Sequence, residues 1–169
     1  MSLPKSLEKA LNQQIGIEFE ASYTYLSMAA WFDAQSWDGF STWMSTQSDE
    51  ERVHAMKFYN YLLDRGANVK LPAIKAPDAA FDSPLGVFQA SLKQEQSVTA
   101  TINKLYKLAL ETDDFATVSF LKWFVDEQVE EEKIVSDMIE KLKRAGNKVE
   151  TLLLLDQAAG ARSSGGGGE

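Results

Sequence analysis

The sequence predicts an all-α protein: a bundle of four long helices with one long crossover and a short fifth C-terminal helix. Three observations carry this. All four prolines, Pro4, Pro72, Pro77 and Pro84, lie outside the periodic segments. Apolar residues recur in alternating steps of four and three along four long stretches, the spacing of bundle packing. Residues 67–83 carry two of the prolines and no helical period, so they are an extended connection.

The first helix is predicted from about Lys5 to Asp33, with Pro4 at its N-terminal turn, where a fixed φ and a missing N–H do no harm. Its stripe is Leu11, Ile15, Glu18, Ser22, Tyr25, Ala29 and Phe32. After a break at Gln35–Gly39, the second runs from about Gly39 to Arg65 on Phe40, Met44, Gln47, Glu51, His54, Phe58 and Tyr61, with Gly66 as its stop. At roughly 3.3 Å per extended residue the following connection spans a helix of about 27 residues at 1.5 Å each, so helices two and three can run parallel. Ser83-Pro84 opens the third helix as N-cap and first residue, and its stripe is Phe88, Leu92, Glu95, Thr99, Ile102, Tyr106 and Ala109. Thr112-Asp113-Asp114 breaks it and caps a fourth helix, from about Asp114 to Ala145, on Phe120, Phe124, Glu127, Glu131, Ile134, Met138 and Leu142. A fifth helix, about Val149 to Ala159, carries the leucine run Leu152–Leu155. The expected division is a bundle domain over 1–160 and a Ser/Gly tail over 161–169.

Composition narrows the function. The 169 residues suffice for one domain with a full core, and a net charge of −8 favours handling cations over nucleic acid or an anionic membrane. No cysteine is present, which removes thiolate metal sites, disulfides and thiol catalysis. No secretory signal pattern or membrane-length apolar run shows, so the cytoplasm is the expected compartment.

Each stripe is apolar at its ends and interrupted near its middle by metal-capable residues. Glu18 does this on helix one, Glu51 and His54 on helix two, Glu95 on helix three, and Glu127 and Glu131 on helix four, with Gln128 beside them. His54 is the sole histidine and follows Glu51 by three residues, so the two project from one helix face a turn apart. Burying an ionised carboxylate alone costs several kcal/mol, so four helices doing it at one level call for a shared cation. Oxygen-rich ligation with one imidazole suits iron or manganese better than zinc, and a shared carboxylate places two ions about 4 Å apart.

Residues Ile17–Met28, the run Glu50-Glu51-Arg52-Val53-His54-Ala55, Glu95 and the run Asp126–Lys133 together resemble the ferritins, most nearly the haem-free prokaryotic type, over residues 5 to about 160. The resemblance implies a ferroxidase that oxidises Fe²⁺ with O₂ or hydrogen peroxide at an intra-subunit di-iron centre, and that stores the ferric mineral in a 24-subunit homo-oligomeric shell, with no haem. It implies a first iron site at Glu18, Glu51 and His54, and a second at Glu51 as bridge with Glu95 and Glu131. Gln128 matches a hydrogen-bonding glutamine and Tyr25 the tyrosine beside the centre. Glu50, Glu127, Glu130 and Glu131 match a third iron site. His54 must be neutral to bind, so acid should weaken the first site.

Two departures stand out. Val118 and Leu121 occupy positions where animal ferritins carry the acidic residues of a threefold channel. Glu127 is followed by Gln128-Val129-Glu130, so the second Glu-x-x-His of bacterioferritins and rubrerythrins is missing. The rival readings are a di-iron oxidase or peroxidase that stores nothing, and a DNA-protecting miniferritin. The aromatic lining and the intra-bundle glutamates with net negative charge count against them.

Overall fold

The computed structural model describes residues 3–161; the predicted tail from 162 onward lies outside them. Five helices follow in order: α1 (Lys5–Ala34), α2 (Asp38–Asp64), α3 (Pro84–Glu111), α4 (Phe115–Ala145) and α5 (Val149–Gly160). Every predicted helix is present, with ends within a residue or two of expectation. None is long and apolar enough to cross a membrane. The capping chemistry is as predicted. Ser83 Oγ accepts from Gly86 N at 3.0 Å, Asp114 Oδ1 accepts from Thr117 N at 2.9 Å, and α2 closes at Gly66 with paired bonds from Gly66 N to Leu63 O and Ala67 N to Leu62 O.

Two apolar clusters set the directions of the helices. One gathers Phe32 from the end of α1, Phe40 and Met44 from the start of α2, Phe88 from the start of α3, and Met138 and Leu142 from the end of α4. The other gathers Leu7 and Leu11, Phe58 and Leu62, Ile102 and Ala109, and Leu121 and Phe124 from the opposite ends. Hence α1 and α4 run one way, α2 and α3 the other. Burial of each such Leu, Ile or Phe is worth about 1.5–3 kcal/mol.

The crossover follows α1. Asn12 Nδ2 donates to Asn68 O at 3.0 Å, Asn12 Oδ1 accepts from Lys70 N at 2.6 Å, and Ser27 Oγ donates to Asp78 O at 2.7 Å. Between them, Pro72 lies so close to Gly16 that a Cβ there would stand 2.3 Å from the proline ring, which accounts for glycine at that position.

The helix pairs are not equally close. Small residues let α1 and α2 approach, with Ser22 Oγ donating to Ser48 O and Ser48 Oγ to Ser22 O, each at 2.7 Å. No Cα of α2 comes within 8 Å of one of α4, and side chains fill that seam: Phe58 stacks on Phe124 with centroids at 4.2 Å and Tyr61 on Phe120 at 4.0 Å. At its mouth Arg65 binds Asp114 Oδ2 at 2.7 Å and Tyr61 Oη at 2.6 Å.

α5 docks on its own bundle, against α2 and α4. Leu152 and Leu155 pack on the first cluster, while Leu153 and Leu154 are 53% and 67% exposed. Asp156 Oδ1 accepts from Phe40 N at 2.8 Å and so caps α2, whose own N-cap residue, Trp37, supplies no side-chain bond.

Two stripes depart in part from the sequence reading. On α3, Leu92, Thr99 and Tyr106 are only partly buried, and their neighbours Ser91, Val98 and Leu105 are buried instead. On α4, Phe124, Glu131, Met138 and Leu142 are buried as expected, but Phe120, Glu127 and Ile134 are only partly buried while Leu121, Gln128 and Val135 are buried. The inner face is thus shared between two adjacent lines, with Gln128 rather than Glu127 on it.

Candidate metal centre

Between the two apolar clusters lies a polar layer. Glu18, Tyr25, Glu51, His54, Glu95, Gln128 and Glu131 all sit in it, none more than 4% exposed. Helical spacing places them: Glu51 and His54 are a turn apart on α2, as are Gln128 and Glu131 on α4.

Glu18, Glu51 and His54 each present a ligand atom, and these three lie within 4.8 Å of one another. His54 Nδ1 is 3.1 Å from Glu51 Oε2. With metal–ligand lengths of about 2.1 Å, two donors at a right angle are about 3 Å apart, so this pair is spaced as neighbouring ligands of one ion. Glu18 Oε2 and Glu51 Oε1 are buried with no N–H or hydroxyl donor beside them, and the two carboxyl groups can share a hydrogen bond when one is protonated. The edges of Trp123 and Phe124 wall the imidazole, with centroids 5.3 and 5.9 Å from it.

Glu95 and Glu131 are placed differently. Tyr25 donates to Glu95 Oε1 in a short contact and exchanges a hydrogen bond with Ser91 Oγ at 2.9 Å. Gln128 Nε2 donates to Glu95 Oε2 at 3.2 Å. Gln47 Nε2 donates to Glu131 Oε2 at 2.9 Å, and Gln14 Nε2 to Glu18 Oε1 at 2.8 Å.

The buried polar and charged residues include four glutamates and no lysine or arginine. The electrostatics follow. Burial, then the Glu51 charge, pushes Glu18 up to about 8. Burial, then Glu131, pushes Glu95 to about 7. Glu51 is held well above the ordinary carboxylate range by burial and by Glu95 and Glu131. Burial and then Glu95 hold the Tyr25 hydroxyl in its protonated form. Burial and mutual repulsion thus favour the protonated forms of Glu18, Glu51 and Glu95 in the iron-free layer, and a metal ion would compete with those protons.

The third set is looser. Glu131 is buried, Glu50 and Glu127 are partly buried, and Glu130 is exposed, so the structure does not bring all four into one enclosed group. Burial and the neighbouring Glu131 raise Glu127. Leu121 is fully buried in the second apolar cluster, with Val118 packed against it. Sequence reasoning named Gln47 only as a stripe member and passed over Gln14 and Ser91. The available signal was spacing for Gln14 alone, which stands four residues before its partner Glu18; Gln47 binds Glu131 on another helix.

The ferritin-like domain family matches residues 8–145. The chain belongs to the ferritin family. It is 44% identical to a bacterial non-heme ferritin of Staphylococcus aureus over 161 residues, covering 95% of this chain and 97% of the relative. The corresponding Staphylococcus epidermidis protein is 45% identical over the same length, covering 95% and 97%. An open-pore ferritin from the hyperthermophilic archaeon Archaeoglobus fulgidus superposes with a TM-score of 0.95 at 42% identity, covering 96% of this chain and all (100%) of that one. A closed form of the A. fulgidus protein, engineered by site-directed mutagenesis, gives 0.94 at 42% identity, with 96% and 99% covered. This ferritin is an iron-storage protein with ferroxidase activity, and its Glu18–Glu51–His54 group fits a ferroxidase centre.

Proposed function

We propose that this ferritin oxidises Fe²⁺ at two sites within each bundle and passes the ferric product to the interior of a 24-subunit shell, in the cytoplasm. The observation that carries this reading is the layer itself: Glu18, Glu51, Glu95 and Glu131 buried at one level with His54 and without a buried lysine or arginine. Only protons or metal ions can neutralise it.

Iron is the substrate. Glu18 and His54 hold the first Fe²⁺, Glu95 and Glu131 the second, and Glu51 bridges the pair. Gln128 orients Glu95, Tyr25 borders the centre, and Glu50, Glu127, Glu130 and Glu131 take a third, more exposed iron. Each pair of Fe²⁺ gives up two electrons, which reduce O₂ with two protons to hydrogen peroxide, or reduce hydrogen peroxide with two protons to water. A carboxylate-rich setting favours the harder Fe³⁺ and so drives the oxidation. Protons leave Glu18, Glu51 and Glu95 as iron binds.

The test is aerobic Fe²⁺ loading of the iron-free protein, with soluble protein-bound iron counted per chain. Many irons per chain support a storing shell with working centres. A plateau at two moves the function to a di-iron oxidase, and precipitation with no bound iron overturns the centre. Running the loading with O₂ and with peroxide in separate reactions identifies the oxidant.

A further inference from the structure

Resting on that reading, we propose that Gln14 and Gln47 are positioning residues, each dedicated to one iron site, which choose the oxygen through which a carboxylate meets its metal. Gln14 is 1% exposed and Gln47 fully buried. A carboxylate only accepts, so the amide group turned to it is the NH₂. Gln14 thus occupies Glu18 Oε1, and the oxygen left without an N–H or hydroxyl donor is Oε2. Gln47 occupies Glu131 Oε2 from across the α2–α4 seam and leaves Glu131 Oε1 for the second site. With Gln128 and Tyr25 on Glu95 and His54 on Glu51, every carboxylate of the layer has at least one neutral or imidazole partner.

The choice of glutamine matters. A lysine or arginine in either place would hold the carboxylate as well, but would cancel part of the charge that draws Fe²⁺. A neutral N–H fixes the geometry and leaves the full negative charge for the metal. With one oxygen taken, Glu18 and Glu131 each bind through the other alone, and the two irons keep open positions for the oxidant.

Gln14→Met and Gln47→Met keep the side-chain length and remove the donor. In the assembled protein, anaerobic Fe²⁺ titration should show Gln14→Met weakening the first site by roughly tenfold or more with the second unchanged, and Gln47→Met doing the reverse. The infrared splitting of the carboxylate stretches in the Fe²⁺-loaded protein should narrow in each variant, as a freed oxygen turns one-oxygen ligation into two-oxygen ligation. Wild-type affinities and unchanged splitting in both variants overturn the proposal, as does equal weakening of both sites by either variant, which marks a merely structural role. If a methionine variant does not assemble, Gln14→Asn and Gln47→Asn, whose donors stop one carbon short, carry the same expectations. An unaltered protein that binds no Fe²⁺ overturns the underlying metal centre as well; two bound irons that are indifferent to both glutamines sink only their assignment.

Discussion

The two halves of the metal layer present their ligands in different states. On the α1–α2 side, Glu18 and Glu51 each turn one buried oxygen that has no N–H or hydroxyl donor, and His54 stands at the distance of a neighbouring ligand. On the α3–α4 side both Glu95 oxygens are taken, one by Tyr25 and one by Gln128, and Glu131 is held through one oxygen by Gln47. The first half holds three ligand-type atoms close together with only each other as partners, whereas Glu95 in the second half is held at both oxygens by Tyr25 and Gln128. On the proposed assignment this difference would set an order of filling, with iron taken first at Glu18, Glu51 and His54 and a second ion bound as Glu95 releases a partner.

The substitution with the largest expected effect removes what the halves share. Glu51→Ala should abolish rapid oxidation, a loss on the order of a thousandfold or more in stopped-flow absorbance, since both irons lose a ligand. His54→Ala breaks the first half alone. Anaerobic titration should then lose the tighter class of bound Fe²⁺, with affinity down about 10–100-fold, while the weaker class survives.

The pH dependence of the iron-free protein sharpens the contrast further. The folded chain keeps Glu18 protonated up to about 8, whereas an unfolded chain releases that proton near 4.5. Between those values the folded state binds more protons, so Glu18 makes stability fall as pH rises. Glu18→Gln should therefore be the more thermostable protein at pH 8, by several degrees in Tm, with the gap closing towards pH 5. A gap that does not change with pH would show that Glu18 is ionised in the iron-free fold. The smallest effect is expected from Tyr25→Phe, which frees Glu95 Oε1. Second-site affinity for Fe²⁺ should rise a few-fold with the first site unchanged, and anaerobic titration measures both.

Much of this was legible in the sequence because period and chemistry agree there. On α2, the line through Phe40, Met44, Gln47, Glu51, His54 and Phe58 is the buried line. On α4 two adjacent lines compete, with Phe120 beside Leu121 and Ile134 beside Val135, and hydropathy does not separate neighbours of equal apolarity. That is why Glu127 was read onto the inner face and Gln128 beside it. The hydrogen bonds of Gln47 and Gln128 lay beyond the sequence for another reason: they join different helices, and periodicity within one helix says nothing of the rotation of the next. Gln14 was within reach, because its partner stands one turn away on the same helix.

The polar layer also divides the hydrophobic interior in two, one apolar cluster on each side and each drawing on all four long helices. The plane between the two clusters holds buried carboxylates in place of apolar contacts, and we expect it to be less stable than the clusters in the iron-free protein. Amide exchange should be slowest within the two clusters and faster near Glu18, Glu51, Glu95 and Glu131. Ions bound across that plane tie the four helices together where hydrophobic burial does not, so the cargo also joins the two clusters.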